Sequence, residues 1–398
     1  MGTVLLTGAA SGIGRATARR LASQGHRCVL VDRDSEGLAA LRVTLPPCEA
    51  GDHLERVIDL TNAQQIDALA GDVPTLDALI NNAGMTDSSN EATVDQTPGN
   101  WQLLLDLNLH APARLLRALA GSLTAGARIV NVASGAGLRA IPWRGAYSPS
   151  KAGLIAQTRA AAHAYPEYRF TVLCPGLVRT ELVDRLIADK RLDPARAVAK
   201  IPLGRMANPD DIACALAFLA SDRAISLAGN LIAVDGGSSV FGGSQAYLPN
   251  PVMPFNSDAA LAMTVRGHWP GLANTPTTDG YPAVVDATVL HSAPGQRLAA
   301  TLAAARQFRI MGPSSLTVLL PQNAGANWEH AGDAGATRML IASLACEWGP
   351  SARRINAMEI APGARPEALN PMLRFIGGAQ AQYVTGQTLF VDDAPRSF

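Results

Sequence analysis

A tyrosine and a lysine stand four residues apart in Tyr147-Ser148-Pro149-Ser150-Lys151. Where such a segment opens a helix, both side chains lie on one face. A free phenol ionises near pH ~10, too high for proton exchange at neutral pH. A neighbouring cation favours the phenolate and lowers that value. The pair therefore has the chemistry to give or take a proton at a substrate oxygen. The same spacing also describes an ordinary solvated helix start, so its meaning depends on what surrounds it. Ser134 closes an apolar stretch, Arg128–Ala133, thirteen residues before Tyr147. Asn108 interrupts the apolar positions Leu103, Leu104, Leu107, Leu115 and Leu116 of a helix expected over Trp101–Leu119. Asparagine is mildly unfavourable inside a helix, which suits a hydrogen-bond relay as well as a surface position.

The elements that must hold these groups alternate between strand and helix. Residues 3–6 form a short apolar strand, followed by Thr7-Gly8-Ala9-Ala10-Ser11-Gly12-Ile13-Gly14 and a helical run, Arg15–Ser23. Strand, glycine turn and helix together let backbone approach a pyrophosphate and turn a helix N-terminus toward its charge. A second strand, Arg27–Val31, ends at Asp32. A carboxylate there can bond the adenosine ribose hydroxyls and repel a 2′-phosphate. This favours NAD over NADP, although Arg33 beside it has a guanidinium that can hold a phosphate, and Ser11 supplies no second cation. A third strand near Arg56–Ile58 precedes Asp59-Leu60. Asp59 suits an adenine amino group, or a cap on a helix starting near Asn62.

A fourth strand, Leu76–Ile80, runs into Asn81-Asn82-Ala83-Gly84, small residues that let backbone pass beneath a cofactor while the asparagines tie the turn to adjacent strands. A helix from Tyr147 continues through Ala164, and a sixth strand, Phe170–Leu173, leads to Cys174-Pro175-Gly176-Leu177-Val178-Arg179-Thr180. Residues 181–208 have mixed charge and helical spacing, as a lid would. A helix at Pro209–Ala220 and a strand at Asn230–Val234 follow. This alternation predicts a doubly wound parallel sheet, whose ligands lie at the carboxyl ends of strands. Asp32, Asn81, Ser134 and the glycine turn all fall at such ends.

The totals set limits on function. The chain has 398 residues, room for two or more domains, with 48% hydrophobic and 17% charged residues and a formal net charge of zero. That balance gives no footprint for nucleic acid. The five cysteines are scattered without paired spacing, which fits reduced thiols rather than disulfides or a metal site. The start of the chain lacks the pattern of a signal peptide, and no apolar run reaches the roughly 20 residues that span a bilayer. The expectation is a cytoplasmic protein with no membrane or nucleic-acid partner and no metal.

Thr7–Gly14, Asp59, Asn81–Gly84, Asn108, Ser134, Tyr147, Lys151, Pro175-Gly176 and Thr180, in that order, closely resemble the short-chain dehydrogenase/reductase family. The resemblance covers residues 1 to about 240. It implies a Rossmann-type α/β fold and reversible hydride transfer between NAD(H) and a secondary alcohol or ketone. Tyr147 would be the general acid/base, with Lys151 lowering its pKa and holding the nicotinamide ribose. Ser134 would bond the reacting oxygen, and Asn108 would position a water in the proton relay. Gly8, Ser11, Gly12, Ile13, Gly14, Asp32, Arg33, Asp59, Leu60, Asn82, Ala83 and Gly84 would line the cofactor. Pro175, Gly176, Val178 and Thr180 would hold its carboxamide end. A nucleotide-sensing or scaffold protein is the alternative, but it has no need of Ser134, Tyr147, Lys151 and Asn108 together. Isomerase or dehydratase chemistry on the same fold is a further one. The substrate pocket is expected from Met85–Gln96, Gly135–Arg144 and the lid, where Arg139, Trp143 and Arg144 suit an anionic or aromatic substrate, exposed loop charges being the commoner explanation of such residues.

Beyond the catalytic domain, residues 1–243, a Gly/Pro-rich linker at 244–256 leads to a worn repeat over 257–398. Gly386 and Gly229, Pro366 and Pro209, and Phe375 and Phe218 keep one constant spacing. Pro362 and Pro175 keep a longer one, a deletion covering most of the lid. The repeat would be a truncated pseudo-domain of the same lineage, with Gln322, His330 and Ala334 at the serine, tyrosine and lysine positions. It would serve as a built-in subunit surrogate, so that a homodimer acquires a pseudo-tetrameric arrangement. A rival use is as a cover for the substrate pocket through His268, Trp269 and Trp328.

Overall fold

The computed structural model describes residues 2–87, 89, 91–293, 295–322 and 328–392, with the side chains of residues 328–330 outside that set. The positions read from sequence at Trp328 and His330 therefore lie outside the described side chains. The chain divides into two compact units. One comprises the residues up to Pro175 together with Ile212–Asp222, the other Gly176–Asp211 together with the described residues from Arg223 onward.

The first unit alternates strand and helix: β1 (Thr3–Thr7), α1 (Gly12–Ser23), β2 (Arg27–Asp32), α2 (Ser35–Arg42), β3 (Leu54–Val57), α3 (Ala63–Leu69), β4 (Leu76–Asn81), α4 (Pro98–Leu105), α5 (Ala111–Leu119), β5 (Leu123–Val132), α6 (Tyr147–Ala164) and β6 (Arg169–Pro175). The six strands run parallel in the order β3-β2-β1-β4-β5-β6. Every residue of β1 is buried, as continuous Val/Leu runs must be when a parallel sheet is covered on both faces. Its core joins Leu5, Val29, Leu79 and Ile129 of the sheet to Leu115, Leu119 and Phe170. The order reverses at β1, which pairs with β2 on one side and β4 on the other. A crevice opens at such a reversal, outside the carboxyl ends of the strands.

Three local expectations change. The helix expected over Trp101–Leu119 is two helices joined by a π-helical turn, Asp106–His110. The third strand lies one to two residues earlier than expected, as a partly exposed edge. Asp59 does not cap the next helix. Asn62 does, accepting Gln64 N and Gln65 N, while the Asp59 carboxylate holds Thr61 N and Thr61 Oγ1 at 2.9 and 2.7 Å.

The second unit contains α7 (Glu181–Ala188), α8 (Pro194–Val198), the start of α9 (Pro209–Leu219), β7 (Leu231–Val234), β8 (Leu261–Arg266), β9 (Tyr281–Asp286), α10 (Arg297–Gln307), β10 (Ser314–Pro321), α11 (Trp328–Trp348), β11 (Arg353–Ile360), α12 (Pro366–Gly377) and β12 (Thr388–Val391). β8 to β12 form a five-stranded parallel sheet in the order β12-β11-β10-β9-β8. β8 and β9 pair directly, with no helix between them. Trp269, in their connection, is buried and donates its indole N–H to Asn370 Oδ1 (2.8 Å), so it is committed within this unit.

Arg354 is the organising polar residue here. Its side chain is 1% exposed, and its guanidinium donates to the carbonyls of Ile376, Gly378, Ala381 and Val384 and to the Tyr281 hydroxyl. A planar fork with five N–H donors suits this cluster of carbonyls at the end of α12. Asn230 meets Phe390 twice, donating to its carbonyl (2.7 Å) and accepting from its N–H (3.1 Å). The Tyr383 hydroxyl donates to the carbonyl of Arg205 (2.8 Å), whose guanidinium forks onto Asp211 at 2.7 and 3.0 Å.

Arg354→Met keeps much of the volume but leaves several buried carbonyls without donors. It should lower stability by about 3 kcal/mol or more. Urea unfolding followed by tryptophan fluorescence checks this, and Arg354→Lys should recover only part of the loss because an ammonium cannot fork.

Candidate active site

The crevice is built around Thr7, the last residue of β1. Its Oγ1 accepts the N–H groups of Asn82 and Ala83, each at 3.0 Å. Asn82 returns the link, donating Nδ2 to the carbonyls of Thr7 (2.9 Å) and Gly8 (3.2 Å). The turn after β1 and the turn after β4 are thereby fastened together. Two glycines make this approach possible. Gly8 has φ +67° and lies so close to Ala83 Cα that an added Cβ would stand 2.9 Å from it. A Cβ on Gly14 would collide with the Gly8 carbonyl.

The N-terminus of α1 faces this turn. Ser11 precedes it in extended conformation and makes no side-chain cap bond, so the first N–H groups of the helix keep their capacity to bind an anion. Ser11 is exposed and Ile13 half-buried. Asp32, at the end of β2, accepts Ala10 N (3.0 Å) and Asp34 N (3.1 Å), which fixes its carboxylate beside the glycine turn. Arg33 is exposed. Hydrogen bonds from Thr61 hold the Asp59 carboxyl below its ordinary range. The Leu60 side chain is in the core, leaving only its backbone for a ligand.

Gly84, Asn108 and Lys151 meet beneath the crevice. A Cβ on Gly84 would stand 3.0 Å from Asn108 Oδ1 and 3.1 Å from Lys151 Nζ. Asn108 is fully buried within the π turn. Its Oδ1 accepts Met85 N (3.0 Å), while its Nδ2 donates to Met85 O (2.9 Å) and Ser150 Oγ (3.2 Å). Ser150 Oγ donates onward to the carbonyl of Tyr147 (2.8 Å). Lys151 Nζ donates to the carbonyl of Val132 (2.9 Å), and burial brings its pKa down to about 8.

Tyr147 is half-buried at the start of α6 and is hydrogen-bonded to the Ser134 side chain. Burial raises the phenol above its ordinary value, opposed by the Ser134 bond and by the charge of Arg144. Desolvation is the largest influence on the phenol, and the charge of Arg144 opposes it.

A buried relay fixes the frame behind these groups. Asn81 Nδ2 donates to Asn131 Oδ1 (2.7 Å), Asn131 Nδ2 to Thr158 Oγ1 (2.8 Å), and Thr158 Oγ1 to the carbonyl of Leu154 (2.6 Å). It links β4, β5 and α6. Thr7, Ser150 and Asn131 were not singled out from sequence. Only the position of Ser150, three residues after Tyr147, signals its bond back to the helix.

Pro175 is buried at the end of β6. Gly176, Val178 and Thr180 continue in the second unit. Gly176 N donates to Val234 O (3.0 Å), Val178 is buried and bridges to Ala207, and the Thr180 hydroxyl caps α7. The residues of the first unit fit a dinucleotide: glycines at which an added Cβ would collide with the facing backbone, a helix N-terminus without a side-chain cap, and a carboxylate beside the glycine turn. Among the described residues no cluster of His, Cys, Asp and Glu is suited to a metal ion, and no helix is long and apolar enough to cross a membrane.

A family profile described as enoyl-(acyl carrier protein) reductase matches residues 8–239. A Sinorhizobium fredii protein described as an uncharacterized short-chain type dehydrogenase/reductase is 37% identical over 240 residues, 59% of this chain. The matched part spans 43%, less than half, of that relative's own length. A 3-oxoacyl-(acyl-carrier-protein) reductase of Rickettsia felis is 33% identical over 239 residues, covering 59% of this chain and 95% of its own. The solved structure of a putative NAD(P)-dependent gluconate 5-dehydrogenase from Beutenbergia cavernae, with NADP bound, superposes with a TM-score of 0.54 at 31% identity, covering 59% of this chain and 96% of that one.

The buried lysine makes a signed prediction for the cofactor-free protein. Its pKa falls from 10.5 unfolded to about 8 folded. Between those values the unfolded chain keeps a proton that the folded chain has released, so stability rises with pH there. Lys151→Met removes the burial penalty and loses one hydrogen bond. It should stabilise the cofactor-free protein at pH 7 by roughly 2 kcal/mol. The gain should shrink above pH 8, and turnover should be lost. Denaturation curves at pH 7, 8.5 and 10 test the sign.

Proposed function

This chain belongs to the short-chain dehydrogenase/reductase family of oxidoreductases, and on that premise we propose that residues 1–243 interconvert a secondary alcohol and its ketone with a nicotinamide cofactor, NAD(H) in preference to NADP(H). The observation that carries this reading is the half-buried Tyr147 phenol bonded to Ser134, with Lys151, Asn108 and Gly84 gathered beneath. The nicotinamide, when bound, supplies or takes up the hydride. In reduction the Tyr147 hydroxyl gives its proton to the carbonyl oxygen, and Ser134 donates to the same oxygen. In oxidation the phenolate takes the proton back. Lys151 and Asn108 hold the floor, and the buried surroundings exclude water. Positioned acid/base help of this kind is worth about 10²–10⁴-fold in rate.

Asp32 supports the preference for NAD, since its fixed carboxylate would repel a 2′-phosphate. The relative acting on 3-oxoacyl carrier-protein thioesters favours a ketone on an acyl chain as the small-molecule substrate. Residues 244–256 would be a linker and 257–398 a truncated pseudo-domain. Two elements of the second unit support this: β12 stands to β7 as α12 stands to α9, at the spacing that relates Gly386 to Gly229. The pseudo-domain would replace a neighbouring subunit in a homodimer.

A calorimetric titration with NADH and NADPH checks the cofactor assignment. One site per chain is expected, tighter for NADH, with the preference lost in Asp32→Ala. Equal affinity in the unaltered chain would remove Asp32 from the discriminating role, and two sites per chain would end the pseudo-domain reading. Truncation after Asn256 strips the partners of Asn230, Gly236 and Arg205. The shortened chain should aggregate, as size-exclusion chromatography would report. A soluble, fully active fragment would refute the surrogate role.

A further inference from the structure

We propose that Arg144 determines specificity: its guanidinium receives a carboxylate that the substrate carries beside the reacting carbon. This inference rests on the oxidoreductase reading for the identity of the ligand as a substrate. The placement of Arg144 rests on geometry alone.

Arg144 sits three residues before Tyr147 and accepts Tyr147 N at its own carbonyl (3.0 Å). It is therefore part of the turn that launches the catalytic helix. Its Nη1 donates to the carbonyl of Asp87 (3.0 Å). Asp87 lies two residues beyond Met85, whose backbone is held by Asn108. The guanidinium thus reaches from the Tyr147 turn to the loop after β4.

The backbone that presents it is constrained on both sides. Trp143 has φ +63°, a conformation a bulky residue adopts only where its surroundings impose it. Gly145 has φ +49°, and a Cβ there would collide with the Gln96 side chain. Gln96 in turn is bonded to the Asp87 carboxylate. The Asp87 carboxylate is also held by Ser89 and Asn100, and it makes no ion pair with Arg144. Among the described residues no carboxylate lies within ion-pair distance of Arg144.

A half-buried guanidinium bonded to one carbonyl retains donors in the flat, paired geometry that a carboxylate matches. Its place in the turn that opens α6, one helical turn before the Tyr147 phenol, sets it at the edge of the candidate site. Ile141 and Trp143 beside it are exposed, at 46% and 56%, an apolar rim for the rest of the substrate. The combination selects a ketone that is anionic at one end and apolar at the other.

The test compares acetoacetate, whose carboxylate stands one methylene from the ketone, with its methyl ester, in which the charge is removed and a methyl group added. Binding is measured by calorimetry on the full chain with and without oxidised NAD, a combination that cannot turn over. The unaltered chain should bind the carboxylate about tenfold more tightly than the ester. R144M should bring the ratio near one, and R144K should restore part of it. Equal binding by the unaltered chain overturns the proposal. So does a preference that survives R144M, even if both ligands weaken, because Arg144 would then only brace the loop. Turnover with NADH is followed separately. A carboxylate preference that depends on Arg144 without any turnover would sink the oxidoreductase reading and leave the anion site standing.

Discussion

Two backbone N–H groups converging on one hydroxyl, Thr7 Oγ1, set the geometry on which the first unit depends. At that point β1 and β4 finish side by side, and their chains must leave in different directions. A parallel sheet gives no backbone ladder beyond its last residues, so the two turns would be free to part. Thr7 and Asn82 hold them by side-chain bonds instead, and Gly8 and Gly14 remove the atoms that would hold them apart. The N-terminus of α1, Gly84 and the Lys151–Asn108 floor take their places from this closure.

The floor is held against a cost. A lysine with no exposed ammonium and a pKa near 8 is poorly solvated by one carbonyl. A phenol raised by burial is not an efficient base until another charge acts on it. Both groups are destabilised in the cofactor-free state, as is common where side chains are held ready for chemistry rather than for stability. The second unit shows the opposite use of a buried cation. Arg354 is wholly enclosed but meets enough carbonyls to be satisfied, and it joins α12 to the sheet without a reactive role.

Much of the first unit was legible in the sequence because its signals are local. Continuous Val/Leu strands, the Gly8–Gly14 turn and the Tyr147-to-Lys151 spacing each depend on a few consecutive residues. What was missed depends on partners far along the chain. The π turn at Asp106–His110 answers to packing around Asn108, not to helix propensity, and the sequence there reads as ordinary helix. Asp59 and Asn62 are both good cap residues, and only the backbone path decides between them. Nothing in Trp143 announces the left-handed conformation it adopts. In the second unit, β8 and β9 pair without an intervening helix, so the strand-helix rhythm that exposed the first sheet is broken at its start and resumes only from β9.

The relay from Asn81 through Asn131 to Thr158 has a direction. Thr158 has one proton to give and gives it to the Leu154 carbonyl, so toward Asn131 it can only accept. Asn131 must then turn its amide nitrogen to α6 and its oxygen to β4, and Asn81 must answer with its own nitrogen. One hydroxyl rotor in α6 therefore sets which way two amides on neighbouring strands face. The polarity runs outward from the helix like a row of aligned magnets. Replacing the threonine with valine would leave both strands in place but erase the instruction that orients them, so the amides could adopt either sense.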